Sequence, residues 1–151
     1  MTGWRIGYAG GPEPIINAMK NIQSQSTSNP CSISQAAAEA ALSGDQNCVQ
    51  EMCTAFEERH NYVVEGLNKI NGISCAKSQG TFYCFPNVEE AIKQTKGVSD
   101  DVEFATHLLD KCGIAVVPGT AFGLSGYMRI SYSTSKETLT EALDRFKELL
   151  G

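Results

Sequence analysis

Two arginines stand where a guanidinium does chemistry rather than merely meeting water. Arg5 lies in Thr2-Gly-Trp-Arg-Ile-Gly-Tyr and Arg129 in Tyr127-Met-Arg-Ile-Ser-Tyr, both strand-like runs of apolar and aromatic residues. A guanidinium withdrawn from water without a partner is costly, so each must reach an anion or keep its head solvated. Its planar fork suits phosphate or carboxylate, two oxygens at a time. On residue types alone, Arg5 reads first as a strand-edge arginine paired to a local acid. Alternation sets Arg129 with Tyr127 and Ser131, opposite Met128 and Ile130, just after the glycine-rich stretch Val117-Pro-Gly-Thr-Ala-Phe-Gly-Leu-Ser-Gly. A cation at a strand start beside a flexible loop fits a bound carboxylate, and it fits a solvent-facing arginine equally well. A third candidate, Ser26-Thr-Ser-Asn-Pro, reads as a capped polar turn. Gly10-Gly11 matches neither GxGxxG nor a phosphate-binding P-loop.

The composition removes several other classes of function. The chain has 151 residues, enough for one domain or for parts of two, and 42% hydrophobic against 19% charged residues supports a buried core. Net charge is −5, and the four arginines (Arg5, Arg59, Arg129, Arg145) are dispersed, without the basic cluster that binds nucleic acid. No apolar run approaches the roughly 20 residues that span a bilayer. The first residues lack the basic and apolar regions of a signal peptide and read like the middle of a folded protein, so an upstream continuation is expected. Cys31, Cys48, Cys53, Cys75, Cys84 and Cys112 form no CxxC pair or regular framework. Buried free thiols in a cytoplasmic protein are expected, with neither disulfides nor a metal site.

The elements that must position these residues follow from apolar spacing and from glycine and proline. A strand is expected over residues 2–9, then helices over 12–25 and 33–42, the second capped by Ser32 or Ser34. A long helix over 47–70 keeps Val49, Met52, Cys53, Phe56, Val63, Leu67 and Ile70 on one side. At 1.5 Å per residue it is roughly 35 Å long, enough to join two lobes. Short strands are expected over 73–76, 81–85, 114–117 and 127–132, with helices over 88–94 and 102–112. Gly113 closes the latter, and Ser135 caps a final helix lined by Leu139, Leu143, Phe146 and Leu150.

Several segments together resemble one family. MTGWRIGYAGGP is similar to the segment that follows the Schiff-base lysine of fold-type I, pyridoxal-phosphate-dependent aminotransferases, class I/II, aspartate aminotransferase-like, whose pattern is S-K-x-x-x-M/T-G-W-R-x-G-Y. QSTSNPCSISQAAAEAAL, GTFYCFPN, VVPGTAFG and MRISYS resemble further segments of that family, in its order and spacing. The resemblance implies an α/β fold: the end of the large cofactor-binding domain (1–46), a linking helix (47–71) and a small C-terminal domain (72–151). It implies that Arg5 holds the phosphate of pyridoxal 5'-phosphate and that Arg129 grips the substrate α-carboxylate. Ser26, Ser28 and Asn29 would lie on a loop that reaches the partner subunit's active site in a homodimer. The Schiff-base lysine would fall upstream of Met1. None of the eight lysines present matches it, so no catalytic residue is assigned within the chain. The implied whole protein is a cytoplasmic enzyme that moves an amino group between an amino acid, aspartate first, and a 2-oxo acid such as 2-oxoglutarate. The alternatives are a carbon–sulfur lyase of the same fold and a truncated, non-catalytic module.

Overall fold

Where apolar residues keep helical spacing, the computed structural model is helical, and it describes all residues from 1 to 151. Two compact units divide the chain, Met1–Gln50 and Glu51–Gly151.

The first unit holds α1 (Glu13–Ser26) and α2 (Ser32–Ser43). Pro14 falls in the first turn of α1, where an absent N–H leaves no bond unmade. Neither Ser32 nor Ser34 caps α2. Helix α2 begins one residue after Cys31, and the Ser34 hydroxyl turns inward to donate to the Trp4 carbonyl at 3.1 Å. The apolar face of α1 stays uncovered, with Ile15, Met19 and Ile22 all exposed. The expected strand over residues 2–9 is absent. Thr2–Trp4 makes a single 3₁₀ turn, Arg5 follows in a left-handed conformation at φ 49°, and the remainder is irregular. A strand exists only by bonding to a neighbour, and the one sheet within these 151 residues is built wholly from later residues.

The helix α3 (Asn47–Leu67) starts where the Asp45 carboxylate accepts the Asn47 N–H at 3.2 Å. Val63, Val64 and Leu67 in its last turns are buried, while Val49 and Met52 near its start are exposed. It ends three residues earlier than its spacing suggests. The Asn68 carboxamide donates to the Cys75 carbonyl at 2.9 Å and accepts the Cys75 N–H at 2.8 Å. Those two bonds replace strand pairing over residues 73–76, which keep only a bridge between Ser74 and Asn87.

Three short antiparallel strands follow in the spatial order β1 (Tyr83–Cys84), β3 (Met128–Ser131), β2 (Val117–Pro118). Each is shorter than expected. Pro118 has no N–H to continue a ladder, and Gly119–Phe122 coils at once into a 3₁₀ turn. Helices α4 (Glu89–Gln94), α5 (Asp101–Cys112) and α6 (Lys136–Leu150) complete the unit. Asp100 caps α5, Gly113 closes it at φ 67°, and the Ser135 hydroxyl caps α6 by accepting the Thr138 N–H, the last two as the sequence predicts. Leu139, Leu143 and Phe146 of α6 meet Phe104 and Leu108 of α5, Met128 of β3 and the buried end of α3 in one core.

All six cysteines are free thiols, but only Cys75 and Cys84 are buried. Cys31, Cys48 and Cys53 are exposed, because the start of α2 and the first turns of α3 carry faces that nothing covers. No helix is long and apolar enough to cross a membrane.

Candidate functional site

Strand β3 sets the register of the site. Met128 points into the core and is 1% exposed, so alternation turns Arg129 to the other face. There Arg129 lies opposite Val117 of β2, and Tyr83 of β1, paired with Ser131, is its diagonal neighbour. The guanidinium carbon sits 4.4 Å from the Tyr83 ring centre and 4.7 Å from that of Phe122. Such stacking on aromatic faces stabilises a guanidinium while leaving its in-plane N–H groups free to bond. The ion pairs of the chain lie elsewhere, at Lys93–Glu90, Arg145–Glu141 and Lys147–Asp144. Arg129 is thus a half-buried cation flanked by rings and committed to no acid.

The loop bearing Phe122 is not the flexible element its glycines suggest. The Gly119 N–H donates to the Tyr127 carbonyl at 2.7 Å, and the Leu124 N–H donates to the Gly119 carbonyl at 3.1 Å. A Cβ on Gly119 would overlap the Leu124 carbonyl and Tyr127, so the turn closes this tightly only with glycine. Gly123 and Gly126 take positive φ, 79° and 78°. Phe85 backs the loop, stacked on Tyr127 at 5.3 Å and edge-on to Phe122 at 6.0 Å.

Beneath the loop lies Asp101, a carboxylate that sequence reasoning passed over. It is 1% exposed. Oδ2 accepts the Thr120 N–H at 2.7 Å, and Oδ1 accepts the hydroxyls of Thr120 at 2.8 Å and Ser125 at 2.9 Å. The Gly126 N–H approaches Oδ1 at 3.4 Å. Burial pushes this carboxyl up, but the bonds from Thr120 and Ser125 outweigh it and hold it below the usual aspartate range. In the sequence, Asp100-Asp101 looks only like an acidic helix start. The available signal was a pair of hydroxyl residues, Thr120 and Ser125, enclosing a glycine loop.

The turn before β1 has its own anchor. His60 of α3 is buried, and its Nε2 accepts the Ser78 N–H at 3.2 Å beside the Ser78 hydroxyl at 3.1 Å. Tyr132 donates its hydroxyl to the Thr81 carbonyl at 2.8 Å. Thr81 occupies a left-handed conformation at φ 67°, two residues before Tyr83. These bonds fix where the Tyr83 ring begins.

The other predicted residues belong to the first unit. Arg5 is exposed, and its Nη1 makes one long bond, 3.4 Å, to the Thr2 carbonyl. The local acid expected from its sequence context is absent, because the turn carries the side chain outward instead of along a strand. Ser26 ends α1, and the backbone N–H groups of Thr27 and Ser28 both donate to the Gln23 carbonyl at 3.0 Å. Ser28 sits at φ 63°, and Ser26, Ser28 and Asn29 are all exposed.

Residues 1–146 match the family model described as aminotransferase class I and II. An aspartate/prephenate aminotransferase of Nitrosomonas europaea is 54% identical, across 100% of this chain and 39% of its own length. The crystal structure of the aspartate aminotransferase from Rhizobium meliloti superposes with a TM-score of 0.87 at 46% identity, covering 99% of this chain and 38% of that one. An aromatic aminotransferase from Pyrococcus horikoshii does so at 0.85 and 35% identity, covering 99% and 39%. The chain spans about two fifths of the length of these relatives, and it belongs to the class I and II aminotransferase family.

Proposed function

We propose that the chain is the C-terminal part of a pyridoxal-phosphate-dependent aminotransferase, in which Arg129 receives the α-carboxylate shared by amino-acid and 2-oxo-acid substrates. The carrying observation is the uncommitted Arg129 fork between Tyr83 and Phe122. With rings beside it and no acid bound to it, the fork is left for the ligand, and a carboxylate that meets it in its plane makes two parallel charge-assisted bonds. Gripped there, the substrate loses rotational freedom, and the bond to be broken at Cα is aimed rather than left to chance.

Residues 1–46 would then end the large domain, 47–71 form the linking helix and 72–151 the small domain. Arg5 would hold the cofactor phosphate. Its fork carries no acid and one long bond to a carbonyl, which fits a dianionic oxygen cluster. When bound, pyridoxal phosphate supplies the electron sink and amino-group carrier that no side chain provides. The exposed 26–29 loop, with Ser26, Ser28 and Asn29, would face a second subunit of a homodimer. A cytoplasmic location accords with six free thiols.

Aspartate with 2-oxoglutarate is the proposed pair, because relatives about half identical to this chain over the segment it matches bear the name aspartate aminotransferase. The test is oxaloacetate formation by the full-length protein from aspartate and 2-oxoglutarate, with and without added pyridoxal phosphate. Cofactor-dependent transfer supports the reading. Elimination of a sulfur substrate without amino transfer would give the fold-type I lyase instead.

A further inference from the structure

We infer that Asp101 is a positioning residue for Arg129: by pinning both ends of the 119–126 loop it holds the Phe122 ring over the guanidinium. This inference rests on the reading of Arg129 as a carboxylate receptor.

Asp101 sits at the first position of α5, 28 residues before Arg129 in the chain, yet it has no helix to cap. Asp100 already does so, accepting the N–H groups of Val102 and Glu103 at 2.9 Å and 2.8 Å. Nor does Asp101 meet a cation, since no lysine or arginine forms an ion pair with it. A carboxylate kept in the interior without a counter-ion persists only if hydrogen bonds satisfy it. Every donor comes from the loop: Thr120 on its way out, Ser125 and Gly126 on its way back. The carboxylate therefore ties the neck of a loop whose tip carries Phe122.

Phe122 has little else to hold it. It is 50% exposed, lies outside the core, and touches the Phe85 ring only edge-on at 6.0 Å. Its place over Arg129 is therefore inherited from the loop backbone. Without the carboxylate only the Gly119–Tyr127 and Leu124–Gly119 backbone bonds would close the neck, so the Phe122 side of the guanidinium would open to water and the fork could turn about its long stem. A carboxylate would then have to order that side chain as it bound, which lowers affinity.

The experiment uses the full-length protein, ¹⁵N-labelled at arginine, and NMR of the Arg129 Nε–Hε group, identified by its loss in Arg129→Lys. Ring currents from Tyr83 and Phe122 should displace this signal upfield. Succinate, titrated at constant ionic strength against a chloride control, should shift it further. Asp101→Asn and Phe122→Leu should both move the free signal toward that of an unstacked arginine and raise the apparent Kd for succinate at least threefold. Phe122→Leu should do so with an unchanged melting temperature. If the wild-type signal ignores succinate, the carboxylate reading of Arg129 falls and this inference falls with it. If the wild type responds and Phe122→Leu weakens binding while Asp101→Asn matches wild type, the inference alone is overturned. Should Asp101→Asn fail to fold, the pair Thr120→Val and Ser125→Ala removes two donors and leaves the carboxylate in place. An unmoved Arg129 signal in that variant would also overturn it.

Discussion

Thr120 donates to Asp101 twice, through its backbone N–H to one carboxylate oxygen at 2.7 Å and through its hydroxyl to the other at 2.8 Å. Both bonds favour the charged form, and the carboxyl titrates below its ordinary range. A folded-state pKa lowered in this way adds stability that is complete above the unfolded value and is lost as pH falls through the folded one. Asp101→Asn should therefore cost about 1.5–3 kcal/mol at pH 7, the usual worth of a charged hydrogen bond, and the gap from wild type should narrow below about pH 4. Urea titrations at pH 7 and pH 3 read it directly. An equal gap at both would show that the charge of Asp101 is not what stabilises the loop.

Arg129→Lys keeps the charge and removes the planar fork. Every amino-acid donor and 2-oxo-acid acceptor carries the same carboxylate, so all should suffer alike in the full-length enzyme. We expect kcat/KM to fall at least ~100-fold for each, about 2.7 kcal/mol of transition-state stabilisation. A loss confined to dicarboxylic substrates would make Arg129 a reader of the substrate side chain.

Arg5→Ala should act on the cofactor and spare substrate choice. Loss of a charge-assisted bond to phosphate should weaken pyridoxal phosphate binding roughly 10- to 150-fold in the full-length protein. Equilibrium dialysis against the free cofactor measures it. Wild-type affinity would leave Arg5 as the solvated turn residue seen here.

Protection from hydrogen exchange should divide along the chain. Ser34 alone is buried among residues 1–50, whereas the apolar core runs from Val63 to Phe146. Amides in α5, α6 and the last turns of α3 should exchange far more slowly than those of α1 and α2. Comparable protection in both regions would mean that α1 and α2 find cover in solution, as they would on self-association through Ile15, Met19 and Ile22.

The local features were legible. Ser135 and Gly113 announce their helix ends by residue type, and Leu139, Leu143 and Phe146 declare the buried face of α6 by spacing alone. Arg129 was legible as a candidate, since alternation against Met128 and Ile130 fixes its face. Its environment was not. Tyr83 comes from a strand 46 positions earlier, and nothing in either segment encodes their diagonal pairing. Asp101 was hidden for the same reason: its partners lie 19 to 25 positions away, and beside Asp100 it resembles a helix start. The strand expected over residues 2–9 failed differently. Its residue types suit a strand, but pairing is a property of a neighbour, and none of the sheet's three strands comes from that region. The apolar positions at the start of α3 likewise show where a face is, without showing what covers it.

The Asn68 side chain has one further effect. Residues 73–76 run near the margin of a small sheet, where an extended backbone usually offers unpaired N–H and C=O groups to any passing strand. Ser74 exchanges both of its groups with Asn87, and Cys75 gives both of its own to the Asn68 carboxamide. A single amide thus serves as a dummy neighbour that ends the ladder. Replacing it with alanine would bare the Cys75 backbone and give a second molecule a place to add a strand, turning a finished margin into a seed for aggregation.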